Sequence, residues 1–225
     1  MQHHAPRSYR GAAPDRSWKI GMAALGALAL AGWIFVLGIG AAPAAVTIGQ
    51  KAPAFTARAA DGAAVSLKDL SGKVVVLEWF NKGCPFVRKH YDSGNMQALQ
   101  KEYGAKGVVW LTVVSSAEGQ QGYETPKEAL ETVKAEKAAP AHVLLDPEGA
   151  LGKLYGAKST PHMFVIDADG NLDYAGAIDD TPSTDVADIK TADNYVREAL
   201  DAILAGKPVT VASTTAYGCS VKYKN

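Results

Sequence analysis

The 225-residue sequence has only two cysteines, Cys84 and Cys219, which permit a single intramolecular disulfide. It has no glycine-rich loop of the kind that cradles a phosphate, so no organic cofactor is predicted. It has no internal repeats, and no basic stripe runs through the part after residue 45, so no nucleic-acid partner is predicted. What it does have is 48% hydrophobic residues, enough for a sizeable buried core.

The first 45 residues differ in composition from the rest. They carry four basic side chains and one acidic side chain, a net charge of +3. Because the whole chain has a formal net charge of zero, the remaining residues carry a net charge of −3. Residues 1–19 form a basic cytoplasmic lead, and residues 20–42 form an uncharged apolar run long enough to cross a bilayer as a helix. The run ends in small residues that suit a signal peptidase, so it is either a transmembrane anchor or a removed signal peptide. Both alternatives place the later residues in the periplasm or another extracytoplasmic space, because positive charge stays inside.

Residues 46–205 alternate predicted strands with predicted helices, which is typical of an α/β domain with a mixed central sheet flanked by helices. The apolar, β-branched run of residues 74–80 predicts a strand that is covered on both faces. The other predicted strands are residues 65–67, 108–114, 142–145, 163–166 and 172–177. The predicted helices are residues 85–104, with a kink or restart at Ser93–Gly94, and residues 125–136, 151–155 and 192–204.

Cys84 lies where the strand of residues 74–80 passes into a helix, directly before Pro85, which suits the first helical position. The N-terminus of a helix carries partial positive charge and unpaired N–H donors, and both stabilise a thiolate over a thiol. Cysteines in such positions have a lowered pKa and are the reactive ones. We therefore predict a reactive or disulfide-forming role for Cys84 rather than that of a small buried hydrophobe.

Two stretches resemble the redoxin branch of the thioredoxin-like superfamily, nearest to the peroxiredoxin-like proteins grouped with alkyl hydroperoxide reductase and thiol-specific antioxidant. They are residues 48–87, IGQKAPAFTARAADGAAVSLKDLSGKVVVLEWFNKGCPFV, and residues 156–170, GAKSTPHMFVIDADG. The resemblance covers residues 46–204. It implies a thioredoxin-like fold and either thiol–disulfide oxidoreductase or antioxidant peroxidase activity.

The resemblance also implies roles for single residues. Cys84 matches the first, attacking cysteine of the family's Cys-x-x-Cys motif. Pro161, after Thr160, matches the cis-proline that faces this sulfur, and these residues with Pro85 are expected to position the substrate. Glu78 matches a buried acid whose raised pKa would let it shuttle a proton. The alternative for Glu78 is a side chain that points to solvent at the edge of the sheet.

Three positions depart from the family's pattern. Val87 stands where the second cysteine of the motif belongs, so exchange through a Cys-x-x-Cys pair is excluded. The same position holds the peroxidatic cysteine in peroxiredoxins, and Leu77 and Asn81 stand at the offsets from Cys84 where those proteins have Pro and then Thr or Ser ahead of that cysteine. These differences argue against efficient peroxide reduction.

Cys219 lies in a predicted flexible tail, residues 206–225, in which Gly218 is expected to give the backbone freedom to swing. Outside the cytoplasm a disulfide can persist, so Cys219 is expected either to resolve a mixed disulfide or sulfenic acid on Cys84 or to staple the tail permanently. A third alternative is that it is unpaired. One nearby cysteine with His90, His142 or His162 would make a poor copper or zinc site, so no metal is predicted.

The predicted function is an exported thiol-dependent oxidoreductase that catalyses thiol–disulfide exchange or peroxide reduction, and it is either anchored in the inner membrane by its N-terminal helix or secreted after that helix is removed. Its expected partner is a thiol or disulfide protein, or a peroxide. The alternatives are a non-catalytic module that holds an extended peptide in the cis-proline groove and, less favoured, a copper chaperone. The acidic residues from Asp179 to Asp188 are predicted to form a solvated face.

Overall fold

The computed structural model describes residues 46–224. The basic lead and the apolar run at residues 20–42 lie outside the described residues, so the predicted anchor or signal helix stays a prediction. Within the described part of the chain, no helix combines the length and the apolar character that a membrane span requires.

The described part contains an open mixed sheet flanked by helices. Its strands are β1 (Thr56–Ala59), β2 (Ala64–Ser66), β3 (Val75–Trp79), β4 (Val109–Val114), β5 (His142–Leu145), β6 (Ser159–Thr160), β7 (His162–Ile166), β8 (Leu172–Gly176) and β9 (Cys219–Ser220). Its helices are α1 (Pro85–Asp92), α2 (Asn95–Ala105), α3 (Pro126–Ala135), α4 (Ala150–Tyr155) and α5 (Tyr195–Leu204), with 3₁₀ turns at Leu67–Leu70 and Val186–Lys190.

Seven strands form the central sheet in the order β2-β1-β5-β4-β3-β7-β8. Strand β3 lies between β4, to which it is parallel, and β7, to which it is antiparallel. All five residues of β3 are buried, because hydrophobic side chains pack on both faces of the sheet. The predicted α/β class and the mixed central sheet are therefore confirmed.

The helix predicted at residues 85–104 restarts at Ser93–Gly94, as the sequence indicated. Gly94 adopts a left-handed φ of 77°, so α1 ends at Asp92 and α2 starts at Asn95. The last helix begins at Tyr195 rather than at residue 192, because the Asn194 side chain accepts the backbone N–H of Arg197 and caps the helix there.

Residues 212–223, which we call the C-terminal strap, pack along the domain. Strand β9 pairs antiparallel with β6, so that Cys219 lies opposite Thr160. Before β9, the backbone of the strap is hydrogen bonded to Ala175 of β8, and after it the Tyr223 hydroxyl donates to the Ala157 carbonyl at 2.7 Å. The expected flexible tail is thus an ordered segment that crosses one end of the sheet.

Candidate active site

A short loop between β3 and α1 holds Cys84 in place. The backbone carbonyl of Asn81 accepts the N–H of Cys84 at 3.0 Å, and its side-chain oxygen accepts the N–H of Gly83 at 2.9 Å. The Asn81 amide donates in turn to the carbonyl of Gln121 at 3.2 Å, and the Gln121 side chain donates to the Gly83 carbonyl at 3.0 Å. The loop that carries Cys84 is therefore held in place by hydrogen bonds with Asn81 and Gln121.

Cys84 is the N-cap residue of α1, and Pro85 occupies the first turn as predicted. The side chain of Cys84 is completely buried, whereas Pro85 is exposed. The Thr160–Pro161 peptide bond is cis, as the resemblance implied. Cys84 Sγ lies 3.0 Å from the carbonyl oxygen of Thr160, so the sulfur faces the cis-proline loop.

The strap brings the second cysteine to the first. Cys219 pairs with Thr160 across β6 and β9, and its thiol lies within hydrogen-bonding reach of the Cys84 sulfur. Both cysteines are free thiols. Cys84 is buried and Cys219 is partly exposed, so the outer of the two sulfurs belongs to the strap.

The two thiols differ in acidity. Burial opposes ionisation of Cys84, but hydrogen bonds from the Cys219 thiol, the Thr160 side chain and the Val87 backbone N–H outweigh it and lower the Cys84 pKa. The contact with the Thr160 carbonyl acts in the opposite direction, because it favours the protonated thiol. Burial and the donation to Cys84 raise the pKa of Cys219 to about 11. The first proton of the pair therefore leaves from Cys84.

Titration of thiolate ultraviolet absorbance is expected to show two steps in the reduced protein. The first lies below the ordinary cysteine pKa of 9.0, because the donors stabilise the charged form, and the second lies at about 11. Replacing Cys219 by serine keeps a donor to Cys84 and should leave the first step low. Replacing it by alanine removes that donor and should move the step upward. A first step at or above 9.0 in the unaltered protein would contradict the assignment.

Gly218 lets the strap approach β6 closely. Its φ is +124°, and a Cβ at this position would lie 2.0 Å from the carbonyl oxygen of Thr160. No side chain larger than that of glycine fits without movement of one backbone or the other. The register that places Cys219 beside Cys84 therefore depends on this glycine.

Tyr217 anchors the strap on a buried polar cluster. Its ring packs edge-on against Phe86 with centroids 5.7 Å apart, and its hydroxyl donates to Asp179. The Lys89 ammonium lies 3.3 Å from the same carboxylate and donates to the Thr181 carbonyl at 2.7 Å. Lys89 and Asp179 are 1% and 2% exposed, so the ion pair is withdrawn from solvent.

His90 completes this cluster beneath the strap. Its Nε2 lies 3.3 Å from the Tyr217 hydroxyl, and its Nδ1 lies 3.0 Å from the Asn95 side-chain amide. Burial lowers the His90 pKa to about 4, with Asp179 acting in the opposite direction. His90 is therefore neutral at physiological pH and serves as a hydrogen-bonding partner rather than as a charge.

The sequence prediction for the acidic region was wrong at Asp179, which is buried against Lys89 and Tyr217, not solvated. Of the later acidic residues, Asp180 and Asp185 are exposed. Lys89 and His90 are polar residues next to apolar positions of α1, and this is the sequence signal that could have indicated the buried cluster.

Glu78 is completely buried, which excludes the solvent-facing alternative. Its carboxylate accepts four hydrogen bonds, from Trp110 at 2.7 Å, Tyr91 at 2.8 Å, and Gln100 and Thr112 at 3.2 Å each. Burial raises its pKa, while these donors act in the opposite direction. None of the four donors is a cysteine, so these hydrogen bonds join Glu78 to α1, α2 and β4 rather than to the sulfur pair.

The three histidines considered as metal ligands do not converge. His90 belongs to the Tyr217 cluster, His142 pairs with Asp61 at 2.8 Å, and His162 packs against Phe164 with ring centroids 4.4 Å apart. Among residues 46–224, no group of three or more His, Cys, Asp or Glu side chains is arranged to hold a metal ion.

Comparison with known proteins supplies a family and a fold. The family described as Redoxin matches residues 47–194. A hypothetical protein of Sinorhizobium meliloti superposes with a TM-score of 0.68 at 25% identity, over 80% of this chain and 96% of that one. An uncharacterized conserved protein of Geobacillus kaustophilus gives a TM-score of 0.68 at 28% identity, over 79% and 93% of the two chains.

The exposed lipoprotein thioredoxin of Streptococcus pneumoniae is similar over 55% of this chain and 87% of its own, with a TM-score of 0.44 and 28% identity. No curated protein matches the sequence. The family match ends at residue 194, before the strap begins, so it includes Cys84 but not Cys219.

Proposed function

This chain belongs to the redoxin family, and from that premise we propose that it is a thiol–disulfide oxidoreductase whose redox pair is Cys84 and Cys219. The observation that carries the proposal is the hydrogen-bonding contact between the two thiols, which lie far apart in the sequence. Pairing of an acidic, helix-capping thiol with a second thiol is the arrangement that disulfide exchange requires.

The proposed reaction has two steps. The Cys84 thiolate attacks one sulfur of a substrate disulfide that is small enough to reach it beneath the strap, which forms a mixed disulfide and releases the other sulfur as a thiolate. Cys219 then loses its proton to the released thiolate or to solvent and attacks the Cys84 sulfur. The second substrate thiolate leaves, and the protein retains the Cys84–Cys219 disulfide. Two electrons pass from the protein to the substrate, which becomes two thiols.

Peroxide reduction would use the same pair with a different first step. The Cys84 thiolate would take an oxygen from the hydroperoxide, releasing an alcohol, and Cys219 would then expel water from the sulfenic acid. We place this second, because Leu77 and Asn81 stand where peroxiredoxins have Pro and Thr or Ser. A parallel assay with a hydroperoxide separates the two activities.

The site residues take different parts in this proposal. Thr160 pairs with Cys219 and contacts the Cys84 sulfur through its carbonyl, Pro161 fixes the direction of Thr160 through the cis peptide bond, and Pro85 starts the helix that Cys84 caps. For Glu78 the four donors support a role in positioning α1 through Tyr91 rather than in proton transfer at a sulfur. The peptide-binding alternative is less favoured, because the strap itself is paired with the β6 edge of the groove.

Export remains part of the proposal. The basic lead and the apolar run of residues 20–42 support an anchor or signal that delivers the domain to the periplasm. That compartment would suit a protein whose two thiols form one disulfide.

Oxidation of the reduced protein with one equivalent of a small disulfide is expected to yield a product two mass units lighter, with Cys84 and Cys219 in one crosslinked peptide. Non-reducing peptide mass spectrometry measures this directly, and quenching with acid at intervals gives the rate of closure. Full alkylation of Cys219 after oxidation would overturn the pairing.

The same assay tests the dependence on Gly218. A Gly218→Ala variant should close its disulfide about 100-fold more slowly, because a displacement of about 1 Å is enough to cost that factor in an oriented reaction. Gly206→Ala is the matched control, since Gly206 also has a positive φ but no atom lies within 4 Å of its added Cβ. Equal closure rates in the two variants would contradict the steric argument.

A further inference from the structure

Access to the two sulfurs is unequal. Cys84 is 0% exposed, because the strap passes over it, and Cys219 in the strap is partly exposed. Once the two sulfurs are joined, an outside molecule too large to pass beneath the strap meets the Cys219 sulfur first. Reduction of this disulfide requires a thiolate to attack one of its two sulfurs.

We propose that the partner which reduces the Cys84–Cys219 disulfide is a protein thiol, and that it attacks the sulfur of Cys219. This inference rests on the proposed function, since it requires that the disulfide forms. It reverses the access expected from the resemblance, in which the cysteine at the start of the helix is the one that partners reach.

The strap is held along its whole length, so opening it is not an easy route to Cys84. Ahead of the site, the Thr214 hydroxyl accepts the N–H of Ala177 at 2.8 Å. At the site, Tyr217 is bound to Asp179, and β9 is paired with β6. Beyond it, Val221 N donates to the Lys158 carbonyl at 3.1 Å. A partner that reacted at Cys84 would have to release several of these contacts first.

Charge on the outer side also favours Cys219 as the point of attack. The Lys222 ammonium donates to the Ser220 hydroxyl at 3.2 Å and lies close enough to Cys219 to favour its thiolate. An incoming thiolate is an anion, so a neighbouring ammonium stabilises its approach. Neither Gly218 nor Ser220, the neighbours of Cys219, presents a large side chain there.

The disulfide is reduced in two exchange steps. The partner's thiolate forms a bond to Cys219 Sγ, the Cys84–Cys219 bond breaks, and Cys84 leaves as a thiolate with the electron pair. A second thiol of the partner then attacks the partner's own sulfur and releases the Cys219 thiolate. The partner is oxidised to a disulfide, and the protein regains both thiols. A thiol of lower pKa leaves faster, and Cys84 is the more acidic of the pair.

The test compares a small probe with a protein-sized probe that release the same coloured thiolate. The small probe is a chromogenic aromatic disulfide, and the large one is a single-thiol thioredoxin that carries the same aromatic thiolate as a mixed disulfide. Each probe is reacted with the Cys84→Ser variant, which retains only Cys219, and with the Cys219→Ser variant, which retains only Cys84. The ratio of the two rates within one variant cancels the intrinsic reactivity of its thiol.

The ratio of large-probe to small-probe rate is expected to be at least about tenfold lower for Cys84 than for Cys219, because access governs exchange. Equal ratios, or a higher ratio for Cys84, would overturn the inference. Circular dichroism of both variants establishes that the comparison is between folded proteins. Failure of the proposed function is a separate result, since it appears as the absence of the Cys84–Cys219 disulfide in oxidised unaltered protein.

A charge variant gives a second readout on the unaltered cysteine pair. Lys222→Gln should slow reduction of the disulfide by an anionic monothiol about two- to threefold at low salt, and the difference should shrink as salt is added. Lys224→Gln is the control, because it removes the same charge from a residue that pairs with Glu148. Equal effects of the two substitutions would contradict attack beside Lys222.

Discussion

Replacement of Cys84 by serine is expected to lower disulfide-reducing activity by more than about 10³-fold, because a serine hydroxyl is not ionised near neutral pH and the contacts of Cys84 with Thr160, Val87 and Cys219 supply no basic side chain. The measurement is the yield of coloured thiolate from a chromogenic aromatic disulfide. The unaltered protein should release two thiolates per chain and finish with the internal disulfide. The Cys84→Ser variant should release at most one, slowly, from Cys219.

Replacement of Cys219 by serine separates the two steps. Cys84 keeps its place at the start of α1 and a hydroxyl donor beside it, so the first thiolate should appear at nearly the rate of the unaltered protein. The reaction should then stop at one thiolate per chain, with the aromatic group attached to Cys84 and detectable by mass. Release of two thiolates by this variant would show that Cys219 is not the resolving thiol.

The sequence was sufficient to predict the part of the site that local structure builds. The buried run that became β3 and the proline after Cys84 define a strand-to-helix turn, and both signals act over a few residues. The cis-proline position followed from the resemblance and not from any local preference. Glu78 had two open alternatives, and its burial was decided by donors on α1, α2 and β4 that no local pattern brings together.

The ordered course of the strap could not be predicted from local sequence patterns. Strands β6 and β9 have two residues each, which is too short to give an alternating pattern, and each exists because the other pairs with it. Gly218 suggested freedom to move, whereas its positive φ and closeness to Thr160 make it a point of tight packing. The lack of a side chain at Gly218, which in the sequence indicated flexibility, in the structure allows the strap to pack closely against Thr160.

The burial of Asp179 could not be predicted from its sequence neighbours either. Neighbouring acidic residues made it appear solvated, but Lys89 reaches it from α1 and Tyr217 from the strap. A buried ion pair is costly to break, because removing one partner leaves the other charge without compensation. Because Asp179 is 2% exposed, loss of its carboxylate should lower the stability of the fold markedly.

Asp179→Ala is expected to lower the free energy of unfolding by about 3–5 kcal/mol, the usual cost of leaving one charge of a buried pair uncompensated. Lys89 would retain only the Thr181 carbonyl, and the Tyr217 hydroxyl would lose its acceptor. Urea denaturation of the reduced protein measures the change. The exposed Asp169 serves as the matched control, and Asp169→Ala should stay within about 0.5 kcal/mol of the unaltered protein.

The double variant Lys89→Met with Asp179→Ala distinguishes the ion pair from simple loss of packing. Removing both charges should restore most of the stability, since an apolar pair of similar volume is often as stable as the ions it replaces. A double variant as unstable as Asp179→Ala would contradict the charge argument. The Tyr217 hydroxyl still lacks its acceptor in the double variant, so the Cys84–Cys219 disulfide should close more slowly than in the unaltered protein. Recovery of stability without recovery of the closure rate would show that the ion pair stabilises the fold, whereas the Tyr217–Asp179 hydrogen bond positions Cys219 beside Cys84.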